Sequence, residues 1–138
     1  MDSVVHFEMP AEDKGRMVKF YEGVFGWKTT QLGPEMGDYV LVTTTETDRN
    51  GMISAPGAIN GGFYEKTVGE PRGQHPRVVI AVDNIQAAMK KVTAAGGKVF
   101  GGDFAPGEPD DIPGVGLYSG FIDTEGNEVG MLQPAQRG

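Results

Sequence analysis

The chain contains no cysteine. That absence excludes a disulfide framework, a thiol nucleophile and a thiolate metal site, and it fits a reducing, cytoplasmic setting. Histidine is nearly as scarce, with two residues, His6 and His75, so any imidazole chemistry falls on these positions. Positive charge is also short: 12 Lys and Arg face 19 Asp and Glu, a net charge of −7. An acidic chain without a basic stripe argues against nucleic acid or an anionic membrane as the main partner. No apolar run approaches membrane-spanning length. The amino terminus, Met-Asp-Ser-Val-Val-His, has no basic region followed by an apolar run and reads as lacking a signal peptide.

What the chain has in quantity is glycine, 22 residues, with 9 prolines, a composition of turns and short strands. Its 138 residues suffice for one domain or two packed half-domains with a real core. The sequence also repeats itself. Val-Val-His-Phe-Glu-Met-Pro leads into an amphipathic stretch ending Val-Phe-Gly-Trp-Lys, and Pro-Arg-Val-Val-Ile-Ala-Val-Asp leads into one ending Ala-Gly-Gly-Lys-Val. Superposed, His6 falls on Arg77, Met17 on Ala88, Tyr21 on Val92 and Gly26 on Gly97. Internal repetition dictates architecture, and two copies packed about a pseudo-two-fold leave a shared cleft suited to a ligand.

Residues 4–9 read as a strand with Val5, Phe7 and Met9 on one face and His6 and Glu8 on the other. Asp13 caps a helix whose stripe is Met17, Phe20, Tyr21 and Val24, and Gly26 stops it. Strands follow at 27–32, 38–44 and 59–65. Residues 67–74, rich in glycine and proline, form the linker between halves. A fifth strand covers 77–82, and Asp83-Asn84-Ile85-Gln86 opens a helix with Ile85, Ala88, Met89 and Val92 inward. A sixth strand starts at 98, residues 101–114 are a loop, and 115–122 with 128–132 make a final hairpin. The order is βαβββ twice. The expected fold is therefore α+β: two βαβββ modules, 1–66 and 75–134, related by a pseudo-two-fold, with mixed sheets curved around a central cleft.

His6-Phe7-Glu8, Phe20-Tyr21, Phe25-Gly26-Trp27, Val79-Ile80-Ala81-Val82-Asp83 and Asp123-Thr124-Glu125-Gly126-Asn127 together resemble the vicinal oxygen chelate superfamily, the group of glyoxalase I, extradiol dioxygenases and bleomycin-binding proteins. Ile59-Asn60-Gly61-Gly62-Phe63-Tyr64 most resembles its glyoxalase-related branch. The likeness spans nearly the whole chain. It speaks for fold, not for one reaction, because this scaffold hosts isomerases, oxygenases, transferases and binders.

The resemblance implies a metal held by inward residues of the first and fourth strand of each half, acting as a Lewis acid. His6 matches the first of those positions. Its mate is Arg77, which has no lone pair to give. Gly130 stands where a glutamate is typical, and Asn60-Gly61-Gly62 also lacks a carboxylate. No cofactor and no family-type metal site are therefore expected. A divalent metal on an unorthodox His6–Glu8–His75 set is the alternative, against which His75 reads as an exposed linker residue. Two readings of His6, Glu8 and Arg77 stay open. They form a polar network stitching the halves, or Arg77 replaces the metal's charge and binds an anionic or carbonyl-bearing ligand. Candidate catalytic residues are His6 and Glu8, and candidate ligand-binding residues are Arg77, Asn60, Gly62, Tyr64 and Tyr118. Tyr39, Phe63 and Trp27 are further candidates for the cleft wall. The expected function is binding of a small organic molecule in the cleft. The alternative is a glyoxalase-type lyase or isomerase driven by Glu8/His6 acid–base chemistry. A homodimer is expected, since strand edges and apolar helix faces need cover.

Overall fold

The computed structural model describes residues 1–67, 69–104 and 106–135. Val68 of the expected linker and Ala105 of the expected loop 101–114 lie outside them. The chain divides into two compact units, His6–Pro76 and Met1–Val5 with everything from Arg77 onward.

The His6 unit is built on β1 (Val4–Ala11), α1 (Lys14–Phe25), β2 (Lys28–Gln31), β3 (Val40–Thr43) and β4 (Asn60–Glu65). Strand order within it is β2-β3-β4-β1, with β4 parallel to β1 and the other pairs antiparallel. The Asp13 side chain accepts from the Arg16 N–H at 3.0 Å, a cap that contributes about 1 kcal/mol. Gly26 ends α1 in the left-handed region at φ 71°, where a Cβ would be strained. Alternation along the strands separates two faces. Phe63, Val40 and Val42 are buried on one, where Phe7, Met9, Met17, Val18, Tyr21 and Trp27 pack over them. Full burial of such a side chain is worth about 1.5–3 kcal/mol, more than any cap, so this face sets the register. His6, Glu8, Tyr39 and Gly62 belong to the other face.

The helix sits differently from its expected stripe. Met17, Val18 and Tyr21 turn toward the sheet, while Phe20 and Val24 are exposed. At about 100° per residue, positions 17, 18 and 21 form one arc, and 20 and 24 fall outside it.

The Arg77 unit contains β5 (Arg77–Ala81), α2 (Ile85–Ala94), β6 (Lys98–Gly101), β7 (Asp110–Ile112), β8 (Gly116–Ile122) and β9 (Glu128–Pro134). Its order is β5-β9-β8-β6, with β7 on β8 and β5 parallel to β9. Asn84 caps α2 by accepting from the Ala87 N–H. Val82, Ile85, Met89 and Met131 form the core. β7 lies in the segment expected to be loop. The Asp110 carboxylate tethers the preceding turn there by accepting from the N–H groups of Asp103 and Phe104. At the β8–β9 turn, the Asn127 amide, then backbone N–H groups, hold the Asp123 carboxyl below its ordinary range.

The expectation of mixed sheets curved around a central cleft is corrected. Within each unit the strands follow an open mixed order, β2-β3-β4-β1 in the His6 unit and β5-β9-β8-β6 with β7 on β8 in the Arg77 unit, and neither order closes on itself. The last strand of each unit returns to pair with that unit's first strand, β4 on β1 and β9 on β5, the Arg77 unit carrying β7 as an additional strand. β2 ends the strand order of the His6 unit and β6 that of the Arg77 unit. Both are four residues long and begin with lysine, features that blunt an open edge.

Candidate functional site

Parallel pairing of β1 with β4 sets His6 opposite Asn60 and Glu8 opposite Gly62. Antiparallel pairing of β3 with β4 sets Leu41 opposite Gly62, so Tyr39, just before β3, shares the face of Leu41 and Gly62. There its hydroxyl meets both candidate catalytic groups. It donates to Glu8 Oε2 at 2.8 Å and lies 3.0 Å from His6 Nε2. Glu8 is buried at 7% exposure, and a hydrogen bond to an ionised carboxylate is worth about 1.5–3 kcal/mol. Burial lowers the His6 pKa below its ordinary value of 6.5, opposed in part by the Glu8 charge. His6 is therefore neutral at pH 7.

Gly62 explains how the phenol fits. A Cβ at this position would lie 2.0 Å from the Tyr39 hydroxyl oxygen. The missing side chain is thus filled by tyrosine. Gly61 serves the opposite face, where a Cβ would collide with the Phe7 ring and carbonyl. Asn60 spends its amide oxygen on the N–H groups of Thr44 and Thr45, at 2.8 and 3.1 Å, fixing the end of β3. Tyr64 donates to the His75 carbonyl at 2.8 Å, and His75 itself is exposed.

The Arg77 unit repeats the tyrosine-over-glycine arrangement. Tyr118 pairs with Leu132, two residues past Gly130, and a Cβ on Gly130 would lie 2.7 Å from the Tyr118 hydroxyl. Arg77 forms an ion pair with Glu128 across β5 and β9, and both side chains are largely buried. Tyr39 and Glu128 are the partners the sequence reading did not assign. An available signal for Tyr39 was the side-chain space left empty by Gly62 next to an inward carboxylate.

The metal implied by the resemblance does not fit these residues. His6 Nε2 and Glu8 Oε2 are both bonded to one phenol, and the imidazole position of the second half is a guanidinium paired with Glu128. Among the described residues, no three His, Asp or Glu side chains are disposed to hold a cation. A groove of about 450 Å³ opens elsewhere in the His6 unit, lined by Pro10, Asp13, Arg16, Phe20 and Lys66 among others. Volume alone favours it, but chemistry does not. Glu12 pairs with Lys66 at 3.7 Å, Asp13 is engaged in capping α1, and none of His6, Glu8 or Tyr39 reaches the groove.

No helix among the described residues is long and apolar enough to cross a membrane. The family model of the Glyoxalase/Bleomycin resistance protein/Dioxygenase superfamily matches residues 3–131. A glyoxylase-like domain-containing protein of Didymella fabae is 33% identical over 122 residues, 87% of this chain and 84% of that protein. A putative glyoxylase, CFP32, of Mycobacterium tuberculosis is 32% identical over 117 residues, 84% of this chain but 38% of that longer protein. Among solved structures, a variant of Streptomyces coelicolor methylmalonyl-CoA epimerase, in complex with 2-nitronate-propionyl-CoA, aligns with TM-score 0.67 at 15% identity, covering 96% of this chain and 97% of that one. At that identity the likeness bears on fold alone. The matched family model and the Didymella relative agree: this chain belongs to the Glyoxalase/Bleomycin resistance protein/Dioxygenase superfamily.

Proposed function

We propose that the protein binds a small organic molecule on the face of the His6 unit that carries His6, Glu8 and Tyr39, and does so without the metal centre of its metal-dependent relatives. One observation carries this reading: the Tyr39 hydroxyl bonds to both side chains that could begin a ligand set. A cation would have to displace that phenol, forfeit its bond to Glu8, and still find only two donors among the described residues. Metal sites of the catalytic kind use three.

His6 and Asn60, opposed across β1 and β4, are the polar anchors in this reading. Gly62 acts indirectly, by admitting Tyr39. Arg77 and Glu128 hold β5 to β9, since the guanidinium charge is matched within its own unit. Tyr64 is tied to the His75 carbonyl and Tyr118 packs over Gly130, so both shape strand packing. We also propose a homodimer, supported by exposed Phe20, Val24 and Phe25 on α1.

Calorimetric titration with zinc, nickel, cobalt and manganese tests the central point. The expected result is no stoichiometric binding. Tight 1:1 binding that disappears in His6→Ala overturns it.

A further inference from the structure

We infer that His6 is locked in one tautomer, with the proton on Nε2 and a solvent-facing lone pair on Nδ1, and that Nδ1 is the acceptor for a neutral ligand bearing a hydroxyl or N–H donor. The inference rests on the proposal that this face binds the ligand. It adds the ligand's hydrogen-bonding class and a role for Tyr39.

A phenol has one proton to donate, and an ionised carboxylate accepts only. The Tyr39 hydroxyl donates that one proton to Glu8 Oε2 at 2.8 Å. The phenol oxygen therefore accepts at its other contact, the 3.0 Å approach to His6 Nε2. A neutral imidazole has one N–H and one lone pair. With the N–H spent on Tyr39, the lone pair falls on Nδ1.

Nδ1 makes no hydrogen bond with a described residue. Yet no side-chain nitrogen or oxygen among the described residues is both buried and unpartnered. Nδ1 is therefore not fully sealed from solvent, and in this proposal a ligand on the His6 face approaches it there. An acceptor of this kind selects by sign. It welcomes a phenol, an alcohol or an amide N–H, and it opposes the lone pairs of a carboxylate.

Tyr39 is a positioning residue in this scheme, and Glu8 is the counter-charge behind it. If a ligand yields its proton fully, the ligand's O–H or N–H bond breaks, a new N–H bond forms at Nδ1, and the electron pair stays on the ligand. The resulting imidazolium points its Nε2–H through the phenol toward the Glu8 carboxylate. No other reactant is needed.

Nitrogen-15 NMR of the imidazole rings at neutral pH is the test, with His75→Gln used to assign the two histidines. His6 should show a pyrrole-type Nε2 and a pyridine-type Nδ1. Tyr39→Phe should shift it toward the mixed tautomers of exposed His75. Titration with phenol should move the Nδ1 resonance, and acetate should leave it in place. A pyridine-type Nε2 in the unaltered protein overturns the inference, as does an unchanged tautomer in Tyr39→Phe or a response to acetate and not to phenol. The two proposals fail separately. Metal binding in calorimetry with the expected tautomer would remove the metal-free reading, whereas a reversed tautomer without metal binding removes only this one.

Discussion

Single residues on the His6 face act through one another. Gly62→Ala would force the Tyr39 hydroxyl away from both His6 and Glu8, because backbone places the new Cβ where the phenol now sits. The expected loss is about 1–3 kcal/mol in urea unfolding. Most of it should vanish when Tyr39→Ala is already present, because the two share one space; additive losses in the double variant would contradict the packing described. His6 also predicts a pH dependence. Its pKa is lowered in the folded state by burial, while the unfolded chain keeps the ordinary 6.5. Between those values the unfolded state holds more protons, so stability is full above about pH 6.5 and declines as pH falls through the folded-state value. Melting temperatures measured from pH 7.5 down to 5 should show this decline, and His6→Gln should flatten it. This part of the site was half legible in sequence. Alternation alone puts His6 and Glu8 on one face, whereas their joining through a residue more than thirty positions away depends on the β3–β4 register.

Elements were more legible than contacts, for a physical reason. Caps and helix stops are local, so Asp13 and Gly26 announce α1 directly. Loss of the cap in Asp13→Ala should cost about 0.5–2 kcal/mol in thermal or urea unfolding. An unchanged midpoint would mean that packing of Met17, Val18 and Tyr21 fixes the helix start unaided. What a helix buries is decided by the sheet beneath it, which is why Phe20 and Val24, apolar and correctly spaced for a stripe, end up exposed. β7 is not legible in the sequence because its segment is acidic and proline-rich, and its strand character comes from pairing with β8. The same dependence on long-range pairing hides Arg77–Glu128: Glu128 stands fifty-one positions away and meets Arg77 only through parallel β5 and β9.

At the scale of the whole molecule, the exposed α1 residues bear on assembly. Light scattering at micromolar concentration should return the mass of a dimer, and Phe20→Glu with Val24→Glu should shift it toward a monomer; a monomer mass for the unaltered chain would contradict the proposed homodimer. The repeated strand–helix start of each unit could be read from the sequence, but whether the strands of a unit close on themselves could not, because strand periodicity reports faces and not closure. The chain belongs to its superfamily, and in the His6 unit one phenol, admitted by one glycine, sits between His6 and Glu8. The most direct test is a crystal structure of protein purified without chelator, with anomalous data collected at transition-metal edges. The account predicts the Tyr39 hydroxyl between His6 and Glu8 and no anomalous peak beside either. A peak at coordination distance from His6, with Tyr39 turned aside, would contradict it.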